Sequence, residues 1–108
     1  IAPIVITNVT YDVTTPVISA VSPASSTAVN HQQVGYTFSE NCATATVTWT
    51  YVSGAASGNF NQGLTGAELT AGAHGPAVIT NNPTLVTGAT YNIAFNCTDA
   101  AGNAAAAV

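Results

Sequence analysis

Two histidines, His31 and His74, and four carboxylates, Asp12, Glu40, Glu68 and Asp99, are the side chains of this sequence suited to acid-base work. A serine hydrolase would draw its base from one of the histidines, held by a carboxylate and aimed at a serine on a sharp turn. His31 stands in a turn before an apolar stretch and His74 between glycines, with no such nucleophile turn nearby. Both read as exposed loop histidines, and their spacing suits no metal site. A glycosidase would need two of the four carboxylates facing each other across a cleft, and these four are scattered along the chain. Thr65-Gly66-Ala67-Glu68 has capping-box spacing, so Glu68 reads as a partner for backbone N–H groups at a single helical turn over residues 66–71. The expectation is a protein without catalytic turnover.

Missing chemistry bounds the function as tightly. The chain has 108 residues, no Lys or Arg, and a formal charge of −4. Without a cation it cannot neutralise phosphates, which excludes nucleic acid and attraction to anionic lipid. Without lysine there is no Schiff base, no P-loop and no lysine isopeptide crosslink. Charged residues make up 4% and apolar residues 47%, which argues against acidic disorder. No apolar run reaches the roughly 18 residues of a membrane span, so no membrane insertion of the mature chain is expected. No basic region precedes an apolar stretch at the start; a leader, if one existed, has been removed. So uncharged a surface suits a protein packed against copies of itself, or one masked by sugar. Asn8-Val9-Thr10 and Asn96-Cys97-Thr98 match the N-glycosylation acceptor pattern, whereas Asn82-Pro83-Thr84 is barred by its proline.

The elements that hold these residues have a hydrophobic period of two almost throughout. Val5, Val9, Tyr11 and Val13 alternate with Ile4, Ile6, Asn8, Thr10 and Asp12 in a first extended segment. Thr14-Thr15-Pro16 breaks it, and residues 17–21 read as the next strand. Val34, Tyr36 and Phe38 mark another, and Val47, Trp49 and Tyr51 the cleanest half-buried one, with Trp49 as a core anchor. Residues 54–58 are a loop, with Phe60 anchoring a short strand beyond it. Residues 77–79 form a further short strand, and Tyr91, Ile93, Phe95 and Cys97 share one face of the last long one. About seven short strands with turns between them predict an all-β, antiparallel sandwich.

Several runs resemble the bacterial Ig-like repeat domains of large surface adhesins. They are residues 16–23 (PVISAVSP), residues 34–40 (VGYTFSE) with Val47-Thr48-Trp49, residues 64–69 (LTGAEL), and residues 91–95 (YNIAF) leading to Asp99-Ala100-Ala101-Gly102-Asn103. The resemblance covers the chain from about Thr10 onward and implies an Ig-like sandwich over residues 16–108, preceded by an N-terminal extension over residues 1–15. It implies a spacer or interaction module more than any chemistry. In such a sandwich Cys42 would lie at the start of one strand and Cys97 at the end of its antiparallel neighbour. A Cys42–Cys97 disulfide is therefore expected, with two buried free thiols as the alternative, and with it an oxidising, extracytoplasmic compartment. Family repeats often pair an aspartate-rich loop with calcium. Here the corresponding positions hold Asn41-Cys42 and Asn96-Cys97, which leaves Glu40, Asp99 and Asn103 as weak calcium candidates and no cofactor as the expectation.

The ends of the sandwich shape the functional expectation. Residues 104–108, AAAAV, look too short and too weakly apolar to supply a last strand. By analogy with tandem repeats, residues 4–13 have the sequence of a last strand belonging to a preceding copy. One expectation is a subunit of an extracellular, pilus-like filament, with Ile4, Val5, Ile6, Val9, Tyr11 and Val13 at the interface between copies. The alternative is an Ig-like spacer repeat of a large cell-surface adhesin.

Overall fold

The computed structural model describes residues 2–108. Its strands are β1 (Ile18–Ser22), β2 (Val34–Phe38), β3 (Thr44–Gly54), β4 (Phe60–Gly63), β5 (Gly72–Ala77) and β6 (Ala89–Thr98), with a 3-10 turn at Gly66–Leu69. They form two antiparallel three-stranded sheets, ordered β1-β2-β5 and β4-β3-β6. The strand count falls just short of seven, and the sandwich is as the alternation demands. Val34, Tyr36 and Phe38 on one sheet face Val47, Trp49, Phe95 and Cys97 on the other, all buried. Each large apolar side chain so buried contributes about 1.5–3 kcal/mol. The Tyr36 and Phe38 rings lie 4.7 Å apart and Tyr36 and Phe95 6.1 Å apart, so aromatic contacts bridge the sheets.

Trp49 anchors this core as expected, and its indole N–H donates to Gln62 Oε1 at 3.1 Å. Gln62 is itself fully buried, and its amide donates to the Ile79 carbonyl at 3.3 Å. The 3-10 turn covers fewer residues than the expected 66–71, and its Glu68 does cap: Oε1 accepts the Thr65 N–H at 3.0 Å. Oε2 reaches further and accepts the Thr80 N–H at 2.9 Å. Although burial pushes the Glu68 carboxyl up, these bonds hold it below the usual range.

Three expectations need correction. The short strand expected over residues 77–79 lies instead at Gly72–Ala77, beside β2. Its glycines and proline read as a turn, but an edge strand with a bulge tolerates both. At Gly75, φ is +70°, and a side chain there would collide with the Val34 carbonyl where the register shifts. Gly75→Ala is therefore expected to destabilise by about 1–3 kcal/mol, which urea unfolding would measure. The second correction concerns His74, which lies half-buried on β5 and not in a loop. Its ring stacks on Tyr36 at 4.9 Å, with Nε2 2.6 Å from the Thr70 carbonyl oxygen.

The third correction concerns the chain ends. Residues 104–108 do run beside β6, with the Ala105 N–H on the Cys97 carbonyl at 2.8 Å and the Phe95 N–H on the Val108 carbonyl at 2.8 Å. Alanine suffices there because the backbone supplies the bonds. This segment flanks only the second half of β6. The expected strand over residues 4–13 has no strand pairing, and its one contact of note is the Asp12 carbonyl, which accepts the Asn103 amide. Ile4, Tyr11 and Val9 are 93%, 88% and 76% exposed, so the arm stands clear of the core. The radius of gyration, 17.2 Å against about 13 Å for a compact chain of this length, and the 68 × 25 × 21 Å extents reflect that projection.

Candidate functional site

The two poles of the sandwich carry different features. At one pole β6 ends just before Asp99, the β2–β3 loop carries Glu40 and Cys42, and the arm joins β1. There the Val17 N–H donates to the Ser39 hydroxyl at 2.8 Å, and the Asn103 amide donates to the Asp12 carbonyl at 2.9 Å. At the other pole lie the β3–β4 loop, the segment before β6, and the loop over residues 23–33. The Ala55 N–H donates to the Gly88 carbonyl there at 3.1 Å.

Cys42 and Cys97 form the expected disulfide at the Asp99 pole, with Cα atoms 5.6 Å apart and both residues buried. It ties the β2–β3 loop to the end of β6 across 55 positions of sequence.

Beside it the structure gathers three of the carboxylates that looked scattered. One oxygen from each of Asp12, Glu40 and Asp99 lies within 4.8 Å of the others. Asp99 is buried and organises its turn: Oδ1 accepts the N–H groups of Asn103 (2.8 Å) and Ala101 (3.0 Å), and Oδ2 accepts the Asn103 amide (3.0 Å). The Asn103 amide is the leading cause that holds the Asp99 carboxyl low, against the upward push of burial. Burial raises Glu40, helped by its hydrogen bond with Asp99 and by repulsion from Asp12 and Asp99. Of the calcium candidates, Glu40 and Asp99 do meet, Asn103 turns its amide inward as a donor, and Asp12 is the partner that sequence reasoning missed. Carboxylate oxygens are of the hard type that calcium takes. Both Asp99 oxygens, however, already serve the turn, so the cluster is assigned no ion.

The sign of this electrostatic effect is testable. A raised folded-state pKa means that ionised Glu40 opposes folding, fully so at pH values above that raised value. The opposition fades as pH falls through the raised pKa and is gone below the ordinary glutamate range. Glu40→Gln is thus expected to raise Tm at pH 7 and to match the parent in acid, as thermal unfolding across pH would show. Asp99 behaves oppositely: its lowered pKa stabilises the fold at neutral pH, and that contribution is lost as pH falls through the lowered value.

At the other pole a groove of about 1040 Å3 opens along the first half of β6. Tyr91 and Ile93 form one side, Val29 and the loop over residues 23–32 the other, and Trp49 lies at the floor. Trp49 meets the Tyr91 ring edge-on at 6.2 Å. Phe95 uses its N–H and C=O on Val108, so by strand parity the backbone groups of Tyr91 and Ile93 face the same open edge. Among the described residues β3 pairs with β6 over residues 90–94, and no strand pairs with them on the edge away from β3.

Neither histidine joins the carboxylate cluster, and only His31 lines the groove. His31 Nδ1 accepts the Gln33 N–H at 3.2 Å in its exposed turn, while His74 sits in the β5 stack already described. Asn8 and Asn96 are both exposed, the first with a left-handed φ of 57°.

A family model described as bacterial Ig-like domain matches residues 12–108. No curated protein and no solved structure gives a significant match.

Proposed function

We propose, since the chain belongs to the bacterial Ig-like domain family, that it is a structural spacer module of the bacterial cell surface, working in series with other such domains. The observation that carries this reading is the polarity of the sandwich. The chain enters β1 at the Asp99 pole, and residues 104–108 run antiparallel to β6 towards the opposite pole. Tension applied through the two flanks therefore runs along the strands, where hydrogen bonds are loaded together in shear. The disulfide at the Asp99 pole removes 55 positions of chain from what can be drawn out. Domains of this family are commonly found on cell surfaces and are typically non-enzymatic. Among the described residues no helix is long and apolar enough to cross a membrane. The extracellular setting agrees with the disulfide, and the exposed Asn8 and Asn96 remain candidate glycan acceptors in a host that makes N-glycans.

A second reading is favoured by one observation, the exposed apolar arm. In it the chain is the subunit of a pilus-like filament, each copy lending its arm to the next. Antibodies against the folded domain distinguish the surface setting from any other. Labelling of intact source cells, lost after protease shaving, is the expected result. Labelling only after lysis would overturn it.

A further inference from the structure

We infer that residues 12–17 form a strap fastened to the Asp99 pole by the Asn103 side chain, so that the arm pivots before Asp12 and not at Pro16. The inference rests on the reading of the domain as a link in series and names the residue that sets the stiffness of its joint.

The sequence places the break at Thr14-Thr15-Pro16, where a proline interrupts the alternation. The structure fastens the chain on both sides of that break. On the domain side the Pro16 ring is fully buried. Next to it, the Val17 N–H donates to the Ser39 hydroxyl at 2.8 Å and the Ser39 N–H donates to the Val17 carbonyl at 3.0 Å. On the arm side, the Asp12 carbonyl accepts the Asn103 amide at 2.9 Å, across 91 positions of sequence. Val13, Thr14 and Thr15 between them are exposed, and local bonds hold them. Asp12 Oδ1 accepts the Thr14 N–H at 2.9 Å in an Asx turn, and Pro16 confines Thr15 to extended backbone.

Asn103 can serve as a clamp because Asp99 holds it still. Its N–H donates to Asp99 Oδ1 at 2.8 Å, and its carbonyl accepts the Asp99 N–H at 3.0 Å. An asparagine amide carries two N–H donors. One goes to Asp99 Oδ2 at 3.0 Å and the other to the Asp12 carbonyl. Packing does not do the same work, since Thr10 and Asp12 share an open recess of about 300 Å3 with Ala100 and Ala101. Before Asp12 the apolar side chains Ile4, Ile6, Val9 and Tyr11 lie exposed. A pull on the arm therefore loads the Asn103 bond before it reaches β1. Releasing that bond frees residues 12–15 as slack without opening either sheet.

The test measures backbone amide relaxation by NMR in the full chain and in its Asn103→Ala variant. Order parameters of about 0.85 mark rigid backbone, and values below about 0.6 mark flexible segments. In the parent, the amides of Asp12, Val13, Thr14 and Thr15 should match those of β3, with a drop below about 0.6 at Val9 and before it. In Asn103→Ala the first three should join the flexible group while the amides of β2 and β3 keep their values. Loosening of the whole fold would not give that pattern. Nuclear Overhauser contacts from the Asn103 side-chain amide to Asp12 are expected in the parent, so the clamp is read even if the variant fails to fold. Flexible residues 12–15 in the parent, missing contacts to Asp12, or a folded variant in which residues 12–14 stay rigid would each overturn the inference. Any of those results leaves the surface-module reading standing, because surface labelling decides that separately.

Discussion

Replacing both Cys42 and Cys97 by alanine is expected to lower the stability of the domain by about 2–5 kcal/mol. With 55 positions between the bonded residues, the chain-entropy account gives about 4 kcal/mol. A domain of this length holds roughly 5–15 kcal/mol in all, so the loss takes a large share of it. The Tm should fall by about 10 °C or more, measured by circular dichroism in the absence of reductant. The parent protein should show the same fall once reductant has broken the bond. An unchanged Tm would mean that the crosslink restrains little of the unfolded chain.

Trp49→Ala is expected to cost about 3–5 kcal/mol, the range for emptying a large buried aromatic site. Part of the loss comes from Gln62, whose Oε1 would be left in the core without the indole N–H. The pair can be separated by a double-mutant cycle. Gln62→Met alone strands the indole N–H and the Ile79 carbonyl, and Trp49→Phe alone strands the Gln62 oxygen. The double variant removes both halves of the indole–glutamine bond, so its cost should fall short of the summed single costs by about 1 kcal/mol or more. Strict additivity in urea unfolding would show that the bond contributes nothing beyond packing.

The elements that could be read from the sequence are those in which one face meets the core and the other meets water. Trp49 and its neighbours on β3, and Phe95 and Cys97 on β6, declare their faces by alternation. Once those strands are neighbours, the Cys42–Cys97 pairing follows from position. The pattern failed where backbone geometry decides. The strand β5 hides behind Gly72, Gly75 and Pro76, residues that usually end a strand and here permit an edge bulge. Residues 104–108 carry almost no hydrophobic signal because their place beside β6 is held by main-chain bonds. Gln62 shares the parity of Phe60, which was a usable signal for burial, but glutamine seldom occupies a core. Asp12, Glu40 and Asp99 lie far apart in sequence, so only the closed fold shows that they meet. The groove beside Ile93 has no motif at all, since residues far apart in sequence line it.

The central claim, that this domain is a link loaded along its long axis, is tested most directly by pulling on a tandem fusion of the full chain with an optical trap. Each copy is expected to hold and then give way in one cooperative rupture. The extension released per copy should grow by roughly 190 Å when reductant frees the 55 positions locked by Cys42 and Cys97. Gradual lengthening without rupture, or the same extension with and without reductant, would contradict the account.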